Sequence, residues 1–338
     1  MPVSEKPAIA ITMGDPCGIG PEVVVKALAD PSVYATCRPL VVGNLYAMQR
    51  AVELTGITLR INAPDDPAAA GQDAGVVDVL DINNLNPEDI TVGEISPTCG
   101  KAAMEWVTKA GELAMAGVVD GMATAPLNKE AASLAGYKSI GHTELLGELA
   151  GVKTVATMLL AKNLRVVHLT THRSLRLACD YVKQDRILEF LQLTHDNFVT
   201  WGFKNPRIGA AALNPHNSDG GLLGNEEAEE IAPAVEAARQ RGIDVTGPVP
   251  ADIIFHQAIQ GRYDAVLCMF HDQGHIPVKV YGFEESITAN LGLPFVRTSV
   301  DHGTAFDIAG KGIADAFSML ESIRLAVGLA KGNGLADF

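Results

Sequence analysis

The chain has 338 residues, 47% hydrophobic and 20% charged, which suffices for two packed domains with a sizeable core. Its formal net charge of -14 argues against a nucleic-acid partner, because binding a phosphate backbone needs a basic face; a small anionic substrate at a local cationic site stays open. The five scattered cysteines lack CxxC or zinc-ribbon spacing, MPVSEKPAIAITMG does not read as a signal peptide, and no apolar run approaches the roughly 20 residues of a membrane span, so the expectation is a cytoplasmic protein with no membrane partner.

Ala8 to Met13 reads as a short apolar strand that runs into Gly14-Asp15-Pro16-Cys17-Gly18-Ile19-Gly20-Pro21-Glu22. The glycines allow a tight turn, and Pro21-Glu22 suits a first helical turn, although the spacing is not GxGxxG. Pro39 to Gly43 reads as a strand, Leu45 to Leu54 as a helix, and Leu59 to Ile61 and Val76 to Ile82 as strands. Ala63 to Gly75 reads as an exposed connection, and Thr98 to Gly117 as a long amphipathic helix. Asp120 to Ala125 is a strand that ends near Asn128 and Lys129, which suit either an anion or a helix cap. In Gly141-His142-Thr143-Glu144, Thr143 suits an N-cap and Glu144 a first turn. His142 would then lie beside a positive helix N-terminus, a natural place for phosphate or carboxylate; a capping sequence with an incidental histidine is the plainer alternative.

Thr154 to Leu160 and Leu164 to Thr170 form a hairpin signal, and the second run ends in Thr171-His172. Helical patterns follow through Asp180 and from Asp185 to Trp201. Arg207 to Leu213 is a strand ending in Asn214-Pro215-His216-Asn217, and Asn225 to Arg241 an amphipathic helix with an acidic start and a basic end. The apolar run Ala265 to Phe270 switches abruptly to His271-Asp272-Gln273-Gly274-His275, with Lys279 close behind. Ile287 to Arg297 reads as a glycine-containing connection, and Ala314 to Leu329 as a final helix. Strands alternating with helices mean an α/β fold, in which chemistry collects beyond the C-terminal ends of the strands.

Three histidines, His172, His216 and His271, sit directly after apolar strands. Three imidazoles with an open fourth position would form a Lewis-acid site for zinc or a related divalent ion, whereas a lone strand-end histidine is more often a cap. His142, Thr143, Lys279 and Arg297 are candidates for holding an anion; ordinary surface ion pairing is the alternative. The sequence has no GxSxG elbow, Walker loop or HExxH, so serine hydrolase, P-loop NTPase and zincin chemistry lack support.

The segments MGDPCGIGPE, TAPLNK, GHTELL, TTHRSL, LNPHNSD, HDQGHIPVK and GLPFVRTSVDHGTAFDIAGKG occur in this order. Together they resemble the 4-hydroxythreonine-4-phosphate dehydrogenase family over almost the whole chain. HGTAFDIAGKGIAD is also similar to the adenosine-binding loop of isopropylmalate and isocitrate dehydrogenases. The resemblance implies a two-domain α/β fold like those enzymes, with the active site in the interdomain cleft. Residues 1–130 with 290–338 would form one domain, and 131–289 the other, with the dimer-forming elements. It implies a homodimer with a shared active site and a divalent metal (Zn, Mg, Mn or Co) on His172, His216 and His271. It implies substrate contacts from His142, Thr143, Lys279, Arg297 and, more weakly, Thr288, and NAD (or NADP) along Asp301, His302, Gly303, Thr304 and Ala305. Lys279 would be a proton carrier or an anion anchor. The reaction implied is oxidation of a 4-phosphorylated 3-hydroxy acid, such as 4-hydroxythreonine 4-phosphate in pyridoxine biosynthesis, with decarboxylation.

Two departures bear on the substrate. HDQGHIPVK stands where the biosynthetic enzymes read HDQGLPVLK, and ITANLGLP stands where the family has VNxTLGLP, so Thr288 replaces an Asn, with Asn290 two positions on. The first departure resembles a second branch, which oxidises threonate or erythronate 4-phosphates. A dehydrogenase of aromatic cis-dihydrodiols and a non-catalytic metal-binding homologue are the remaining alternatives.

Overall fold

The computed structural model describes residues 6–333. In chain order its strands are β1 (Ala8–Thr12), β2 (Arg38–Val42), β3 (Arg60–Asn62), β4 (Val76–Leu80), β5 (Gly121–Thr124), β6 (Ala156–Ala161), β7 (Leu164–His168), β8 (Ile208–Ala211), β9 (Val245–Val249), β10 (Ala265–Cys268), β11 (Ile287–Leu291) and β12 (Val296–Val300). The chain divides into two compact units.

The first unit comprises residues 6–155 and 293–331. Its strands run β3-β4-β2-β1-β5-β12, and every pairing is parallel. AIAIT of β1 is buried at all five positions, as a strand covered on both faces must be, and this is why it reads as an uninterrupted apolar run. Ile9, Ile11, Met13, Leu40, Met122 and Trp106 are fully buried in this core. Trp106 lies on the helix Pro97–Met115, whose N-terminus Ser96 caps by accepting from the Cys99 N–H at 3.3 Å.

The second unit comprises residues 156–292 and 332–333. Its strands run β11-β6-β7-β10-β8-β9; β7, β10, β8 and β9 are parallel, while β6 pairs antiparallel with both neighbours. The hairpin expected around Ala161-Lys162-Asn163 is the β6–β7 pair.

Two expectations need correction, and one strand went unread in the sequence. The segment 131–155, assigned from sequence to the second domain, packs with the first unit, because its helix His142–Ala150 buries Leu146 completely in that unit's core. Ile287 to Arg297 is not a connection: it holds β11 and the start of β12, broken at Gly292-Leu293-Pro294. VTGPV, where Gly247 and Pro248 hide the pattern, forms β9.

Candidate functional site

In the second unit, the ends of β7, β10 and β8 are laced together by side chains. Thr170 Oγ1 donates to the Met269 carbonyl at 2.9 Å. Gln273 Oε1 accepts from the Met269 N–H at 2.7 Å, and its Nε2 donates to the Ala212 carbonyl at 2.7 Å. Gln273 thereby seats the helix His271–Tyr281 on the strand ends. Gly274 is required by close approach, because a Cβ there would collide with His168 Nε2 and lie 2.6 Å from Cys268 Sγ.

His271 is the first residue of that helix, and its Nδ1 lies 2.7 Å from Asp272 Oδ1. A carboxylate at Nδ1 keeps the proton there and leaves the Nε2 lone pair for an ion. The His172 ring lies 6.0 Å from the His271 ring, centroid to centroid, beside a cleft of about 350 Å³ also lined by Arg173, Phe270 and Asp272. Two imidazoles sharing one divalent ion, at about 2.1 Å per nitrogen, have centroids roughly 5–6.5 Å apart. The observed 6.0 Å lies within that range.

Among the described residues no group of three or more His, Cys, Asp or Glu side chains is placed to hold a metal, so the expected His172, His216 and His271 set is not assembled as one site within this chain. His216 stands on an unusual loop: φ is 53° at His216, 57° at Asn217, 67° at Ser218 and 45° at Asp219. Each left-handed non-glycine residue costs on the order of 1 kcal/mol, and such strain persists where the surroundings over-determine it, often at functional sites. The buried Glu227 does so here. Its Oε1 accepts from the Leu213 and Asn214 N–H groups at 2.7 and 2.6 Å, and its Oε2 from Asn214 Nδ2 at 2.9 Å and from the Ser218 hydroxyl.

Lys279 shares a helix face with His271, two steps of four residues on. Its Nζ donates to Ser286 Oγ at 2.8 Å and lies 4.9 Å over the Phe283 ring. Thr288, half-buried on β11, pairs opposite Leu159. Asn290 is buried, and its Nδ2 donates to the Ala156 carbonyl at 3.4 Å, so this amide serves the sheet.

The first unit holds three of the four anion candidates, His142, Thr143 and Arg297. Arg297, on β12, is buried, and its Nε and Nη2 donate to Thr124 Oγ1 at 3.2 and 2.7 Å. Burial pushes its guanidinium down, with the Glu144 carboxylate opposing. His142 Nε2 is fully enclosed and has no hydrogen-bond partner among the protein groups. Burial, then the charges of Arg297 and Lys129, hold this imidazole well below its usual range, so it is neutral at pH 7. The helix starts at His142, so its N-cap is Gly141 and not Thr143, and the Glu144 carboxylate occupies the space a side chain at position 141 would need. Asn128 takes its plainer role, capping Lys129–Leu134 by accepting from the Ala131 N–H at 2.8 Å.

The loop expected to carry the cofactor follows β12. The Ile19 N–H donates to the Thr304 carbonyl at 3.0 Å, and the Gly310 N–H to Glu22 Oε1 at 2.6 Å. A Cβ at Gly18 would sit 2.7 Å from the Thr304 oxygen. MGDPCGIGPE is thus a support against which this loop packs. A cleft of about 300 Å³ opens there, lined by Pro16, Glu22, Tyr46, Arg50, Val92 and Gly310, and the buried Glu22 Oε2 has no hydrogen-bond partner among the protein groups. Asp301, His302, Gly303 and Ala305 flank Thr304, with Ala305 at φ 43°.

Sequence reasoning missed Glu22, Glu227, His168 and Asp15 as structural supports. His168 gave no signal, being a strand residue, and Glu227 was hidden in the acidic start EEAEE. His275 stood out only as a departure from a pattern.

The profile of the family described as pyridoxal phosphate biosynthetic protein PdxA matches residues 35–326. A D-threonate 4-phosphate dehydrogenase of Cupriavidus necator is 47% identical over 325 residues, 96% of this chain and 97% of its own. A 4-hydroxythreonine-4-phosphate dehydrogenase of Geobacter metallireducens is 46% identical over 329 residues, 97% of each chain. The crystal structure of a 4-hydroxythreonine-4-phosphate dehydrogenase from Klebsiella pneumoniae superposes with a TM-score of 0.90 at 42% identity, covering 96% of this chain and 98% of that one.

Proposed function

This chain belongs to the PdxA family, and from that membership we propose how its residues serve the reaction. It is an oxidoreductase that acts on a hydroxyl group of a phosphorylated hydroxy acid. His172 and His271, with His216 as the third imidazole, would hold a divalent ion (zinc, magnesium, manganese or cobalt). When bound, such an ion lowers the pKa of a substrate alcohol and stabilises neighbouring negative charge. A nicotinamide dinucleotide, NAD before NADP, would lie along Asp301, His302, Gly303, Thr304 and Ala305 and supply the hydride acceptor.

The protein's own groups do the rest. In the first unit, Arg297 supplies fixed positive charge, and neutral His142 with Thr143 supplies hydrogen bonds, for a phosphate or carboxylate. In the second, Lys279 carries the proton released from the hydroxyl or replaced on carbon after carbon dioxide leaves. The observation that carries this reading is the His172–His271 pair, 6.0 Å apart, with Asp272 fixing the tautomer of His271.

The apolar surface at and just beyond the helix His271–Tyr281 supports a homodimer with a shared active site: Ile276 is 60%, Val280 82% and Phe283 71% exposed, more than a monomer usually leaves in contact with water. No helix among the described residues is long and apolar enough to cross a membrane. The free cysteines, four of them buried, fit the reducing cytoplasm.

Relatives named for the two substrates are equally similar, at 46% and 47% identity, so identity does not separate them. Thr288 and His275, the two departures, favour D-threonate 4-phosphate over 4-hydroxythreonine 4-phosphate. The test is NADH formation by metal-replete protein with each acid. Faster turnover of the threonate supports the assignment, faster turnover of the amino acid returns the enzyme to pyridoxine biosynthesis, and silence on both, with a cis-dihydrodiol oxidised, refutes the phosphorylated substrate.

A further inference from the structure

His275 forms a brace between the core and the candidate ligand His271. It sits four residues after His271 on the same helix, and the two rings stack at 3.6 Å with only 12° between their planes. On its other side, His275 Nδ1 lies 3.0 Å from His168 Nε2 and 3.2 Å from the His271 carbonyl. His168 ends β7 and is 1% exposed, so it is fixed by the sheet. Whichever of these two rings donates, the 3.0 Å contact shares one N–H, which sets where the plane of His275 lies. The absent side chain at Gly274 lets the helix come close enough to β7 for this contact.

We propose that His275, anchored on His168, is a positioning residue that holds the His271 imidazole through its ring face, so that His271 presents Nε2 in a single orientation to a divalent ion. Asp272 holds Nδ1 of His271 at one edge, 2.7 Å away, and His275 fixes its plane. Ligand histidines left without such outer supports typically lose roughly 10–100-fold in metal affinity. The proposal depends on His271 being a metal ligand, and the experiment separates the two claims.

The measurement is the apparent affinity for Zn²⁺ or Co²⁺ by competition with a chromophoric chelator, alongside the Tm of the metal-free protein. His275→Ala is expected to bind roughly 10–100-fold more weakly with little change in metal-free Tm. His275→Phe, which keeps a flat ring against His271 but loses the anchor on His168, should recover part of the affinity. His275→Asn, which can keep the bond to His168 but has no ring, should not. Should His275→Ala fail to fold, the Phe and Asn variants decide between ring face and hydrogen bond. Wild-type affinity in His275→Ala, or recovery by Asn and not Phe, overturns the brace. Wild-type protein that binds no ion overturns the metal reading itself, and the brace falls with it.

Discussion

Replacing Asp15 by asparagine should flatten the pH dependence of stability between pH 4.5 and 8. Asp15 is fully buried in the loop after β1: Oδ1 accepts from the Cys17 N–H at 2.9 Å, while Oδ2 has no hydrogen-bond partner among the protein groups. Burial pushes its pKa from 3.8 up to about 6, against the Cys17 hydrogen bond. A carboxyl whose folded pKa is raised binds its proton more tightly in the folded state. Its contribution is therefore fully present below about pH 3.8 and is lost as the pH rises through about 6. At about 1.4 kcal/mol per unit, roughly 3 kcal/mol separates the two limits, and about 2 kcal/mol of it falls between pH 4.5 and 8. Asparagine cannot ionise and lacks this slope. Its amide also places an N–H₂ where Oδ2 was, which costs about 1–3 kcal/mol at every pH, so the change with pH is the informative quantity. Urea unfolding of both proteins at pH 4.5 and 8 measures it. The stability of Asp15→Asn relative to wild type should rise by about 2 kcal/mol over that range. Parallel pH profiles would refute the claim that a buried, half-satisfied carboxylate destabilises this loop.

Three further predictions follow from particular contacts. Arg297→Met removes a buried guanidinium: KM for a phosphorylated acid should rise by about 10–150-fold, from the 1.5–3 kcal/mol typical of a charged hydrogen bond, and an unchanged KM would remove Arg297 from the anion site. Glu227→Ala leaves the donors of Leu213, Asn214 and Ser218 without their acceptor, so the urea midpoint should fall by the equivalent of several kcal/mol, with the His216 loop becoming protease-sensitive first. Val280→Asp puts a charge on the most exposed apolar side chain of the helix His271–Tyr281; sedimentation velocity should show a monomer, and an intact dimer would place the interface elsewhere.

The sequence made the scaffold readable wherever burial leaves an uninterrupted apolar run, as in β1, β5 and β10. It failed where glycine and proline interrupt real strands, at VTGPV and across Gly292-Leu293-Pro294. His142, His172 and His271 were legible because each follows a strand or opens a helix. Their supports were not. Pro277 lies inside the helix His271–Tyr281 and masked it, and with it the four-residue spacing that stacks His275 on His271. His168 and Glu227 act through contacts 107 and 13 residues away in sequence, to His275 and the Asn214 amide, distances over which no local pattern can signal. The loop of His216 was illegible for the same reason: neighbouring strands β7, β10 and β8 bring three loop starts to one edge, but no local pattern signals the left-handed backbone from His216 to Asp219.

The most direct test of the central claim is NADH formation, followed at 340 nm, from a 4-phosphorylated hydroxy acid and NAD before and after metal removal. The account predicts turnover by the wild-type protein, its loss on chelation, its return when zinc, cobalt, manganese or magnesium is restored, and no such return in His172→Ala or His271→Ala. Full activity after exhaustive chelation, or metal-restored activity in His271→Ala, would contradict it.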